Sequence, residues 1–168
     1  MKHLYSNGLL ASCQHGFVKG RSCVTQLLGV LDHWTKALDN ADSMDCIFLD
    51  FAKAFDSVPH QRLLRNVYGY GIRGKSITWV RSFLLDRRQR ASIAGGSSLL
   101  APVLSGIQQG SILGPLLFII FINDTLEVVN SLTRMFADDT KLFRIVNRDA
   151  DSTVLQTDLI AIQEWSNK

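Results

Sequence analysis

The stretch Met135-Phe136-Ala137-Asp138-Asp139-Thr140 constrains this chain more than any other. An apolar run stops at two adjacent carboxylates, and a second strand-like run, Lys141 to Val146, begins just beyond them. Asp is disfavoured within strands and favoured in turns, so the pair predicts a tight hairpin with both anions at its tip. Taken alone, Asp-Asp is an ordinary acidic turn. Two neighbouring anions repel each other, however, and gain from a shared cation. Cys46-Ile47-Phe48-Leu49-Asp50 repeats the pattern, an apolar run of the kind buried on both faces that again ends in Asp. Two such strands delivering three carboxylates to one sheet edge make a hard-oxygen site of the type Mg²⁺ prefers.

Composition narrows the class. With 46% hydrophobic residues in 168, the chain is long and apolar enough for one domain with a real core. A net charge of +3 is too mildly basic to establish a nucleic-acid partner. Cys13, Cys23 and Cys46 are odd in number and lack metal-ligand spacing, which predicts a reduced, intracellular setting (nucleus or cytoplasm) rather than a disulfide framework or a zinc site. Met1 to Leu10 has no apolar segment of the kind a secreted protein's leader carries. The longest apolar run, Leu116 to Ile122, is far too short to cross a bilayer, so no membrane partner is expected.

In chain order, Met1 to Arg21 reads as loop or irregular strand. Ser22 is placed to cap a helix running to about Leu38, with Leu27, Leu31, Trp34 and Leu38 on its inner face. The buried strand to Asp50 follows a polar connection. Pro59 starts a second helix with Leu63, Leu64 and Val67 inward, ended by Gly69-Tyr70-Gly71. Ser76 caps a third, with Ile77, Val80, Phe83 and Leu84 inward. Arg87–Ala94 and Leu99–Leu104 read as strands about a Gly95-Gly96 turn, and Arg87, Arg88 and Arg90 as a solvated basic strand end. A helix from Leu116 to about Val128 is apolar all round in its first two turns and should lie inside. After the carboxylate hairpin, a last helix capped at Ser152 or Thr153 carries Leu155, Leu159 and Ile162 on one stripe. Strands and helices mix without regular alternation, which predicts an α+β fold, an antiparallel sheet with helices on one face. Asp50 and Asp138 lie so far apart in sequence that only this fold brings them together.

Three blocks carry a resemblance. Phe48-Leu49-Asp50-Phe51-Ala52-Lys53-Ala54-Phe55-Asp56, Gly106-Ile107-Gln108-Gln109-Gly110-Ser111-Ile112-Leu113-Gly114-Pro115-Leu116-Leu117-Phe118, and Phe136-Ala137-Asp138-Asp139 resemble, in order, motifs A, B and C of the reverse transcriptases of non-LTR (LINE-like) retrotransposons. Gln14-His15-Gly16-Phe17 through Arg21-Ser22 resembles the fingers motif that precedes them. Ordered blocks are far more specific than any one of them.

The resemblance implies a reverse-transcriptase palm with part of the fingers, and an RNA-directed DNA polymerase adding deoxynucleotides to a primer 3′-end by two-metal phosphoryl transfer. Its partners would be an RNA template, a DNA primer and a dNTP, and its cofactor two Mg²⁺ ions, with Mn²⁺ as a substitute. Asp50 and Asp138 would be catalytic and hold metal, with Asp139 as third carboxylate and the Phe51 carbonyl as a further ligand. Phe55 matches the steric gate that excludes a ribose 2′-hydroxyl. Gln109 and Gly110 match the core of motif B, with Gln108 in place of the usual Pro, and Arg21 matches a residue that contacts the triphosphate. Asp56 is read as structural. Family members carry more fingers sequence before Gln14, and motif D, a primer grip and a thumb after the Trp165 region. The expectation is therefore one partial domain over 1–168, with partial fingers at 1–43, palm at 44–168 and no thumb, any missing part coming from another chain. Two readings stay open: a palm that polymerises poorly by itself, or an inactive remnant or non-enzymatic interaction domain.

Overall fold

A computed structural model of the chain describes residues 2–167. A short helix, α1 (Lys2–Ser6), begins the chain where loop was expected, and residues 7–22 follow as an irregular strap. Helix α2 (Cys23–Asp39) starts at Ser22, whose hydroxyl accepts from the Thr25 amide while the Thr25 hydroxyl accepts from the Ser22 amide, a reciprocal cap. Then come β1 (Met44–Leu49), α3 (His60–Gly69) and α4 (Lys75–Leu84). Pro59 is the residue before α3, and Gly74 rather than Ser76 stands before α4.

The basic segment forms two short ladders, β2 (Arg88–Gln89) with β5 (Ala101–Pro102) and β3 (Ser92–Ile93) with β4 (Gly96–Ser97), all exposed. The turn is Ala94-Gly95, one residue earlier than expected. Both residues have positive φ (46° and 85°), as the two-residue hairpin turn matching strand twist requires. Helix α5 (Leu113–Ile122) runs into a 3₁₀ segment, Asn123–Val128, and the hairpin β6 (Leu132–Phe136) and β7 (Asp139–Ile145) leads to α6 (Asp149–Ser166). The last helix starts earlier than Ser152. Asp151 Oδ2 accepts from the Asn147 and Arg148 amides (3.2 and 3.1 Å) and closes its first turn.

The main sheet is antiparallel in the order β1-β7-β6. Helix α5, apolar on every side, is the centre of the core, with Leu117 through Ile122 all buried. Leu142, Leu155 and Ile162 join the sheet to α6. On the opposite sheet face lies α2, where the His33 ring meets Phe143 edge-on at 5.5 Å.

The inner face expected for α2 is corrected. Leu27, Leu31 and Leu38 are exposed, and Gln26, Val30 and Ala37 are buried instead. The sheet face below presents Lys141 and Arg134 beside the buried Phe143, and α2 meets them through Gln26, Gly29 and His33 rather than through its leucines. Lys141 donates to the Gln26 side-chain oxygen at 3.1 Å, and the Arg134 guanidinium passes against Gly29, where a Cβ would stand 3.4 Å from its Nε.

Candidate active site

Sheet register assembles the site. Leu49 pairs with Thr140, so Asp50, one residue on, and Asp139, one residue back, reach the same sheet edge. Phe136 pairs with Asp139, leaving Ala137 and Asp138 as the two-residue turn between β6 and β7. Asp50, Phe51, Phe55, Gln109, Gly110 and Asp138 line one cavity of about 670 Å³. Six of the eight expected site residues thus converge on a single space from three distant segments.

The other two do not line it. Asp139 is exposed as the first residue of β7, beside Asp138. Arg21 is turned inward: its Nη1 donates to the carbonyls of Ala11, Ser12 and Gln14 at 3.1, 2.9 and 2.5 Å. Its guanidinium clamps the strap.

Electrostatics at the turn are unfavourable to charge. Partial burial pushes the Asp138 carboxyl above its ordinary value, and Asp139 and Asp50 raise it further, against the pull of its own backbone N–H. Among the described residues no three His, Cys, Asp or Glu side chains stand close enough to hold a cation by themselves. Two carboxylates beside one cavity nevertheless fit Mg²⁺, which keeps open positions for water and substrate phosphate and uses only one or two protein carboxylates.

The walls are built from motif-to-motif hydrogen bonds. Gly106 N donates to Val58 O and Ile107 N to Phe55 O, both at 2.8 Å, stitching the 50–58 loop to the 105–110 loop. Gly106 has φ +87°, and a Cβ there would stand 2.7 Å from Asp56 O, so the approach needs glycine. Its carbonyl accepts from His60 Nε2 (2.8 Å) and Arg87 Nη2 (2.7 Å), which takes Arg87 out of the solvated cluster expected for it. Gln109 Nε2 donates to Asp56 Oδ1 at 2.9 Å, so Asp56 supports motif B. Phe55 stacks on Phe118 (4.2 Å, 14°) and meets Phe17 edge-on (6.2 Å, 85°).

Three residues of this neighbourhood are not singled out by sequence pattern. Phe17 lines the cavity from the strap, with φ 55°. Lys53 is the one cation lining it among the described residues. Gln14, 1% exposed, reaches the Ala137 turn. Their blocks are visible in the sequence, but nothing in a lone Gln, Phe or Lys tells which way the strap folds.

The profile of the family described as "Reverse transcriptase (RNA-dependent DNA polymerase)" matches residues 1–168. The chain belongs to the reverse transcriptase family. It is 31% identical over 162 residues to the RNA-directed DNA polymerase from mobile element jockey of Drosophila melanogaster, covering 91% of this chain and 18% of that protein. It is 32% identical over 122 residues to the probable RNA-directed DNA polymerase from transposon BS of the same species, covering 69% of this chain and 13% of that protein. This reverse transcriptase domain therefore spans less than a fifth of the length of these relatives. A solved structure of apo telomerase from Candida tropicalis, truncated from its C-terminal domain, superposes with a TM-score of 0.64 at 14% identity over 92% of this chain and 34% of that one. At that identity the likeness concerns the fold, a mixture of helices and antiparallel sheet. No helix among the described residues is long and apolar enough to cross a membrane.

Proposed function

We propose that the cavity is the nucleotide-adding site of an RNA-directed DNA polymerase, with residues 1–43 as fingers and 44–168 as palm. One observation carries the reading: Asp50 and Asp138, from the ends of two different strand segments, line the same cavity as the aromatic Phe55 and the Gln109-Gly110 loop. Asp50, Asp138 and the Phe51 carbonyl would hold the metal ions, with Asp139 in support. When bound, Mg²⁺ supplies Lewis-acid stabilisation of the attacking and leaving oxygens in phosphoryl transfer.

The chain's own residues do the rest. Asp50 and Asp138 supply negative charge at the edge where primer hydroxyl and α-phosphate meet. Phe55, fixed between Phe118 and Phe17, fills the space of a ribose 2′-hydroxyl and favours a dNTP. Lys53 offers its ammonium to the triphosphate from the cavity wall. Gln109, held by Asp56, presents the motif B loop to the incoming nucleotide or to the RNA template. An activity with nucleic-acid template and primer belongs in the nucleus or cytoplasm.

The test is addition of dTTP to oligo(dT) on poly(rA). Slow, Mg²⁺-dependent addition is expected, lost in Asp138→Asn, while Phe55→Ala should raise UTP use relative to dTTP by ~10-fold or more, the scale of discrimination set by one small group in a pocket. Equal addition by wild type and Asp138→Asn contradicts the reading.

A further inference from the structure

We infer that Gln14 is a positioning residue for the catalytic hairpin: its side-chain amide clamps the Ala137 peptide and so fixes where Asp138 stands. This rests on the reading of Asp138 as a metal ligand.

The turn needs outside support. Ala137 has φ 56°, left-handed backbone that a non-glycine residue adopts at a strain of roughly 1–3 kcal/mol unless its surroundings enforce it. Two residues span it, and next to it lie carboxylates that repel one another. Something must hold that peptide in place.

Gln14 meets the requirement with both ends of one amide. Its Oε1 accepts from Ala137 N at 2.9 Å and its Nε2 donates to Ala137 O at 3.1 Å, so the turn's peptide donor and acceptor are both paired. The same Oε1 accepts from Gly16 N at 2.7 Å, which fixes the side chain's own orientation. Backbone bonds carry the strap along the same strand, with His15 N donating to Met135 O (2.8 Å) and Met135 N to Cys13 O (2.9 Å). Gly16 lets the two chains close up, since a Cβ there would collide with Ala137 N. Behind Gln14, the Arg21 guanidinium gathers the carbonyls of Ala11, Ser12 and Gln14. The strap is thus locked on one side to itself and on the other to the turn, with Gln14 as the strut between. The same strap carries Phe17 to the Phe55 ring, so the height of the metal edge and the position of the gate are set by one element.

The experiment uses Mn²⁺ alone as probe, its binding followed by electron paramagnetic resonance, together with amide exchange at Ala137. Proteins compared are wild type, Asp138→Asn, Gln14→Leu, and Leu63→Ala, a core substitution on α3, which packs against α4 and α5. Wild type should bind Mn²⁺ and protect the Ala137 amide. Gln14→Leu should weaken Mn²⁺ affinity by ~10-fold or more, the scale seen when a ligand's support is removed, and speed Ala137 exchange. Leu63→Ala should lower the melting temperature without either change. If Gln14→Leu does not fold, Gln14→Glu serves: it keeps the acceptor for Ala137 N but sets an oxygen against Ala137 O, and should also weaken Mn²⁺ binding. Unchanged affinity and exchange in the Gln14 variants, or losses no greater than in Leu63→Ala, overturn the proposal. Equal Mn²⁺ binding by wild type and Asp138→Asn would instead fail the metal-site reading. The exchange arm still judges the strut in that case, since an Ala137 amide no better protected in wild type than in Gln14→Leu contradicts it.

Discussion

Asp138 holds its charge at a disadvantage. Burial, then Asp139 and Asp50, push its carboxyl above the ordinary 3.8, so the folded chain binds that proton more tightly than the unfolded one does. The sign follows from linkage: stability associated with this group is fully present below pH 3.8 and is lost as pH rises through the folded value. In metal-free buffer at neutral pH, Asp138→Asn should therefore raise the urea midpoint, and the gain should vanish in acid. A midpoint lowered at neutral pH would show the carboxylate to be a structural partner. Asp158 is the opposite case. Fully buried, it accepts from the Asn130 and Ser131 amides at 2.9 and 2.8 Å; burial opposes its charge, but these hydrogen bonds outweigh burial and hold its carboxyl below 3.8. Its contribution is complete above 3.8 and falls away as pH drops through the folded value. Asp158→Asn should cost about 1–3 kcal/mol at pH 7, for one oxygen's bonds lost in the interior, and less in strong acid. Chemical denaturation at the two pH values checks it. Nothing in the order of residues marks Asp158 as buried. It lies beside the apolar stripe of α6, and only the loop preceding β6 gives it partners.

At the scale of elements, α5 is the piece most legible in the sequence, because a helix apolar on every side has nowhere to lie but inside. Phe118 is 1% exposed and stacks on Phe55, so it links core to site. Phe118→Ala should cost about 3–5 kcal/mol, the usual range for emptying a buried aromatic position. An unchanged denaturant midpoint would contradict the central place given to α5. The α2 face differs from expectation because its leucines satisfy helical period, but the sheet beneath meets α2 through Lys141, Arg134 and Phe143, against Gln26, Gly29 and His33. Arg21 differs similarly. A guanidinium beside a predicted phosphate site reads as a phosphate contact, whereas three carbonyls of the strap lie nearer to it. Local periodicity reports that a face is apolar, and tertiary partners decide whether it is used.

For the whole molecule, the edge of the site is legible in the strand ends that carry Asp, and the antiparallel order β1-β7-β6 brings those ends together. The third dimension is not legible there: a linear pattern does not tell that the strap from Ala11 to Ser22 folds over the hairpin, or that Phe17 and Lys53 complete the cavity. The central claim is that this cavity positions divalent metal for nucleotide addition. Crystals soaked in Mn²⁺, with data collected at the manganese absorption edge, test it most directly. An anomalous peak bounded by Asp50, the Phe51 carbonyl and Asp138, absent in Asp138→Asn, is the predicted result; manganese bound elsewhere, or no peak in the cavity at saturating Mn²⁺, would contradict it.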